Sequence, residues 1–243
     1  LEESRTLYTT AQQRLLHALK FEPQSISVSG IAEKTFSTAA AAGRLDAEYY
    51  QPKYDDLLEL LDTKETVGSL CLIFDKDFMP VPNTHYPYIE LANVGRSGMI
   101  SNVEVMMGDA LPSRARRRVK AGQVIVSSIE GSLQSCALIP TEYNDALCSN
   151  GFYVLDSNKM NAETLLVLFQ SEPIQELMRQ RCSGTILSAI SKDAFLSMPL
   201  PLVSVEVQQE IAAQVQQSFA LRRSAEQGIA AAVRAVEIAV EED

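Results

Sequence analysis

The densest chemistry in the chain is cationic: Arg114, Arg116, Arg117, Arg118 and Lys120 fall within one short stretch. Guanidinium and ammonium groups at this density can grip phosphate oxygens, and an arginine can also read guanine in the DNA major groove through a bidentate contact. A solvated basic loop is the competing reading, but a run unique in an otherwise acidic chain favours DNA. Gly95-Arg96-Ser97-Gly98 is either a plain hairpin turn or a base-reading loop in which Arg96 and Ser97 face DNA. Ser127, Ser128, Ser132 and Gln134 could donate to bases or phosphates, and the same residue types serve equally as ordinary hydrogen-bonding groups of a strand and turn.

Catalytic chemistry is not written into this sequence. The nearest approach to a glycine-rich cofactor or phosphate loop is the tetrapeptide at Gly95, too short for a methyltransferase or a nucleotide hydrolase, and no Gly-Lys pair occurs. The two histidines, His17 and His85, fall on an expected helix and in an expected loop. Neither sits in a cluster with metal-ligand spacing, so no metal and no cofactor is expected. The four cysteines, Cys71, Cys136, Cys148 and Cys182, lack C-x-x-C spacing and read as buried thiols. A nucleophilic enzyme would have to bring a Ser or Cys to His85 in space.

These groups must be positioned by a scaffold, and the C-terminal end declares its part of it. Ile211, Val215, Ser218, Arg222, Ala225, Ile229, Ala232, Val236 and Ala239 follow a 4,3,4,3 spacing, a coiled-coil seam. Pro199 and Pro201 stop what precedes it, and Ser204 can cap the helix. A helix over 205–240 is roughly 54 Å long at 1.5 Å per residue, too long to cover its own apolar stripe. Leu1, Tyr8, Ala11, Leu15 and Ala18 repeat at matching spacing near the N-terminus, with Ser4 the polar exception. The two ends are expected to pack together, within one chain or between two, through Leu15, Ile211, Val215, Ala225, Ile229 and Val236.

Four segments follow: an N-terminal helix over 1–21, a linker over 22–43, a globular domain over 44–200 and the long helix over 201–243. Within the globule, β-like runs cover Leu70–Phe74, Tyr86–Val94, Gln123–Ile129, Ala137–Ile139 and Phe152–Leu155, and helical stretches cover Asp55–Leu61, Ala162–Gln170 and Glu172–Arg181. The fold class is α+β, a mixed globule carried between long helices that form an antiparallel coiled coil or a dimer seam.

Composition fits this plan. The chain has 243 residues, 46% hydrophobic and 21% charged, ordinary for a globular protein. No apolar run approaches the roughly 20 residues of a membrane span, so a soluble, cytoplasmic protein with no membrane partner is expected. The formal charge of −10 argues at first against DNA, but its distribution is uneven. Residues 1–79 hold 13 acids and 8 bases, residues 80–200 hold 11 and 10, and residues 201–243 hold 7 and 3. The acid lies in the ends; the middle is nearly neutral.

Three segments together resemble the DNA-specificity subunit of type I restriction-modification systems. They are Arg44-Leu-Asp-Ala-Glu-Tyr-Tyr-Gln-Pro-Lys-Tyr54, Gly184-Thr-Ile-Leu-Ser-Ala-Ile-Ser-Lys-Asp-Ala-Phe195, and Met198-Pro-Leu-Pro-Leu-Val-Ser-Val-Glu-Val-Gln-Gln-Glu-Ile211. The resemblance implies that residues 44–200 are a target-recognition domain and that the chain is a non-catalytic specificity subunit. Its implied partners are double-stranded DNA, methyltransferase subunits and a restriction subunit, with a homodimer through the helices possible. Thr185, Ser188 and Lys192 lie in the segment resembling the family's closing loop, where DNA contact and capping of a helix near Ser191 are equally open. Family members carry two target-recognition domains and this chain has room for one. It starts at Leu1 rather than Met, and reads as a fragment, a short protein that dimerises, or the specificity end of a longer fused polypeptide. A coiled-coil scaffold without a DNA role is the alternative function.

Overall fold

The structure, a computed structural model, describes residues 1–22 and 30–241. The middle of the expected linker, residues 23–29, and the last two residues of the expected C-terminal segment lie outside the described residues.

Helix α1 spans Glu2–Ala18 and buries the face carrying Ser4, Tyr8, Ala11 and Leu15. Helix α2, Phe36–Ala42, falls within the segment read as linker; Thr35 Oγ1 accepts from the Thr38 amide at 3.2 Å to start it, and Gly43 at φ 64° ends it. A 3-10 turn over Ala47–Tyr50 leads into α3, Pro52–Leu61, longer at its start than expected because Pro52 is preset for the first helical turn. The short α4, Val67–Leu70, opens on a reciprocal cap between Thr66 and Ser69.

Eight strands then build two four-stranded sheets. They are β1 Leu72–Ile73, β2 His85–Ile89, β3 Glu104–Met107, β4 Ala115–Arg118, β5 Val124–Ser127, β6 Cys136–Leu138, β7 Leu147–Ser149 and β8 Phe152–Asp156. One sheet runs β1-β8-β5-β6, antiparallel throughout. The other runs β3-β2-β7-β4, with β2 and β7 parallel. The expected strand Tyr86–Val94 stops at Ile89, because the Asn93 side chain accepts from the Glu90 amide at 2.7 Å and folds residues 91–93 into a 3-10 turn. His85 opens β2 rather than lying in a loop. Strands β3, β4 and β7 fall outside every run expected from sequence.

Burial follows the twofold alternation of strands. On β5, Val124 and Val126 face a core shared with the helices, whereas Ile125 faces the opposite way, into a second core with Ile89, Ala137, Cys148 and Val154. Both faces of β5 are therefore covered, which explains its unbroken apolar run. Helices α5, Ala162–Gln170, and α6, Glu172–Arg181, match the expected bounds and fill the larger core with Leu165, Phe169, Ile174 and Leu177. The two-residue strands β9, Cys182–Ser183, and β10, Ala189–Ile190, form a hairpin, followed by α7, Lys192–Leu196, and α8, Val205–Glu241.

Helices α1 and α8 lie antiparallel. Ser4 meets Ser218, Tyr8 stacks on Phe219 at 5.9 Å, and Arg14 is ion-paired with Glu210. Ser4, the polar exception of the N-terminal seam, thus meets Ser218, one of two polar members of the other: Ser218 Oγ donates to the Ser4 carbonyl at 2.7 Å and lies 3.1 Å from its hydroxyl. A buried polar pair of this kind fixes the register of two otherwise interchangeable apolar stripes. The glutamine motif that opens α8 has an equally local cause. Gln208 is buried, accepts from the Asn161 amide at 3.0 Å and donates to the carbonyls of Val203 at 2.8 Å and Lys159 at 3.1 Å, tying α8 to the start of α5.

Candidate nucleic-acid interface

Arg116, Arg117 and Arg118 of the basic run lie on the edge strand β4, and Arg114 and Lys120 flank it. Its alternation is hidden by the charges: Ala115 and Val119 are buried while the intervening cations are not. Pairing with β7 is irregular, since Ala115 stands opposite Ser149 and Arg117 opposite its neighbour Cys148. Arg116 is the extra residue of a β-bulge, a device that bends a strand and re-aims the side chain it carries. Along the outer edge, the Phe78 amide donates to the Arg116 carbonyl at 2.8 Å.

Four of the five cations are held by carboxylates. Arg114 pairs with Glu90 at 2.8 Å, Arg117 with Asp77, and Arg118 at 2.9 Å and Lys120 together with Asp145. The hydrogen bond from Lys120, with the nearby Arg118 charge, holds the Asp145 carboxyl below its ordinary range. Arg118 also lies over the Phe78 ring, 5.2 Å from its centroid. Arg116 forms no ion pair among the described residues. Its Nε donates to the Ser113 carbonyl at 2.7 Å and its Nη1 reaches Met79 Sδ at 2.9 Å.

The other expected contacts lie elsewhere. Arg96 and Ser97 sit on the helix side, lining a shallow hollow of about 290 Å³ with Tyr8, Ser218, Phe219 and Arg222. The turn is drawn in tightly: a Cβ at Gly98, whose φ is +73°, would lie 2.6 Å from Leu166 Cδ2 and 2.7 Å from the Tyr8 hydroxyl. Gln134 is exposed. Ser132 lies 3.0 Å from Ser127, hydroxyl to hydroxyl, near the β9–β10 hairpin, where the Glu130 amide donates to the Ser188 carbonyl at 3.0 Å. Lys192 pairs with Asp75, whose carboxyl that hydrogen bond lowers, and Ser191 caps α7 by accepting from the Ala194 amide at 3.3 Å.

Two of the sequence segments singled out above converge, although about 130 positions separate them. Arg44 Nη1 donates to the Cys182 carbonyl at 2.9 Å while the rest of its guanidinium grips Asp46 and lies 4.7 Å from the centre of the Tyr49 ring. Gln180 Nε2 donates to the Tyr49 carbonyl at 2.9 Å, and Lys53 pairs with Glu176 at 2.8 Å. Arg44, Tyr49, Lys53, Gln180 and Cys182 border a cleft of about 790 Å³ that Thr185 and Ser188 also line. The hairpin tip beside it carries Ile186 and Leu187, both exposed. Sequence reading missed that tip, the carboxylates Asp77, Glu90 and Asp145, and the bulge. An apolar pair between Gly184 and Ser188 was the available signal for the first; nothing in the spacing marks the carboxylates.

Of the expected helix-interface residues, Leu15, Ile211 and Val215 are buried. Ala225 is half-buried, whereas Ile229 is 54% and Val236 63% exposed. The cause is length: α1 has 17 residues, and the buried part of the α8 stripe ends at Phe219. The large apolar side chains farther along the stripe, Ile229 and Val236 among them, are exposed. The described residues include no helix long and apolar enough to cross a membrane.

No family model matches this chain, and no curated protein matches it. Solved structures do. The HsdS subunit from Thermoanaerobacter tengcongensis matches at 27% identity and a TM-score of 0.53, over 71% of this chain and 45% of that one. A chain from a structure describing complex assembly and conformational transition of the type I R-M system matches at 25% identity and a TM-score of 0.54, again over 71% and 45%. This chain therefore spans less than half the length of the two solved chains and shares their fold.

Proposed function

We propose that this chain, folded like the specificity subunits of type I restriction-modification systems, is a DNA-recognition unit that directs methyltransferase and restriction subunits to one half of a bipartite site. The likeness to an HsdS subunit carries the reading. The rod-and-globule plan supports it, as does the absence of cofactor and phosphate loops from the sequence. The recognition domain covers residues 44–200, reached through a linker over 22–43 and flanked by helical segments over 1–21 and 201–243. The chain itself is non-catalytic.

DNA meets the globule through Arg114, Arg116, Arg117, Arg118 and Lys120, with Ser132, Gln134, Thr185, Ser188 and Lys192 as further donors. Arg96 and Ser97 take part only if DNA also reaches the helix side. The uncovered half of α8, with Ala225, Ile229 and Val236, joins partner protein or a second copy. Much of the phosphate attraction then comes from partner subunits, since this chain carries a charge of −10. Mapping methylated adenines in cells with and without this gene tests the reading. A methylated sequence that appears only with the gene supports it; an unchanged pattern, together with no salt-dependent DNA binding beside a methyltransferase subunit, leaves a protein scaffold instead.

A further inference from the structure

Within the DNA-recognition reading, and resting on it, we infer that Arg116 is the base-reading residue of the basic strand, directed to a guanine in the major groove, while Glu90, Asp77 and Asp145 suppress sequence-blind attraction of its neighbours to phosphate. The first observation is the bulge. Arg116 is the unpaired residue between Ala115 and Arg117, where the register of β4 on β7 shifts, and a shift of this kind is a device that re-aims a side chain.

The second is its bonding. Nε is fixed on the Ser113 carbonyl at 2.7 Å, and Nη1 rests on the Met79 thioether at 2.9 Å. A thioether is a weak acceptor. The end-on fork of Nη1 and Nη2 is therefore oriented yet lightly committed, and two parallel N–H groups are what guanine O6 and N7 accept. Holding Nε in place also lowers the rotamer entropy lost when the fork engages a base.

The third is the contrast with the rest of the strand. Arg114, Arg117, Arg118 and Lys120 are each already joined to a carboxylate. A cation so paired gains little from a phosphate, because it exchanges one anion for another. The edge thus withholds the counterion-release affinity that unpaired cations would give any duplex. Discrimination is a difference between affinities, and it grows when the sequence-independent part is kept small.

The test uses the full chain in complex with its methyltransferase subunit, on duplexes bearing the mapped site and its single-base variants across a salt series. Arg116→Lys keeps the charge and loses the fork. It is expected to reduce discrimination at one G·C pair by about five- to 150-fold while leaving the salt slope unchanged. Asp145→Asn is expected to tighten binding to scrambled DNA and steepen the slope. If Arg116→Lys keeps full discrimination, or loses affinity equally on every sequence, the assignment of Arg116 is overturned. If Asp145→Asn leaves scrambled DNA bound as before, the suppressing role of the carboxylates is overturned. A wild-type complex that does not distinguish the mapped site from scrambled DNA overturns the DNA-recognition reading itself.

Discussion

The Tyr8 hydroxyl donates a 2.6 Å hydrogen bond to Gln170 Oε1, whose amide nitrogen in turn donates to the Cys136 carbonyl at 2.9 Å. Three elements, α1, α5 and β6, are joined through one buried side-chain amide. Burial raises the Tyr8 phenol above its ordinary range, which favours the protonated, donating form. Tyr8→Phe strands the Gln170 oxygen in the core and is expected to cost about 1–3 kcal/mol, read as a shift of the urea midpoint with unchanged slope.

The two halves of α8 should respond differently to substitution. Ile211 is fully buried, and Ile211→Ala is expected to destabilise the single chain by about 2–5 kcal/mol. Ile229→Asp, at an exposed position, should leave the unfolding of the single chain within about 1 kcal/mol of wild type. Sedimentation gives the second readout. If the uncovered seam joins copies, Ile229→Asp dissociates them; if the variant keeps its assembly state, the seam is not the joint.

All four cysteines are buried, with no disulfide among them. Burial raises the Cys71 and Cys136 thiols to about 12 and Cys182 to about 11, and lifts Cys148 as well. At pH 8 a disulfide reagent such as Ellman's is expected to find almost no thiolate in the native protein and four reactive thiols after unfolding. Rapid labelling of the folded protein at any of them contradicts this core.

Acid should weaken the fold through its paired carboxylates. Hydrogen bonds from Arg44, Lys192 and Lys120 lower Asp46, Asp75 and Asp145 respectively. A carboxyl lowered by folding contributes stability that is complete above its unfolded value of about 3.9 and lost as pH falls through the folded value. Stability should therefore decline below about pH 4, and Asp145→Asn should flatten part of that decline in a denaturant series across pH.

Long periodic elements were legible in the sequence because their signal accumulates over many residues. The α5 and α6 bounds and the antiparallel meeting of Leu15 with the α8 stripe follow from apolar spacing and caps alone. The edge strand β4 was not legible: four residues, three of them arginine, give no visible alternation, and only pairing with β7 shows that Ala115 and Val119 point inward. Nor could the sequence show which cations are already satisfied. Arg114 reaches back 24 positions to Glu90, Arg117 reaches back 40 to Asp77, and Lys120 reaches forward 25 to Asp145. Contacts at such separations belong to the tertiary fold.

The antiparallel meeting of α1 with α8 also fixes a timetable for synthesis. Tyr8, Ala11 and Leu15 are translated about 200 residues before Ser218 and Phe219, which close over this end of the seam. At about 5–20 residues per second the nascent apolar face of α1 waits roughly 10–40 s for that cover. The globule between them can fold meanwhile and offers α5 as a provisional shelter, through the same Gln170 that later anchors Tyr8. Where one helix depends on another so far downstream, a ribosome stalled between them leaves the Tyr8, Ala11 and Leu15 face without its cover.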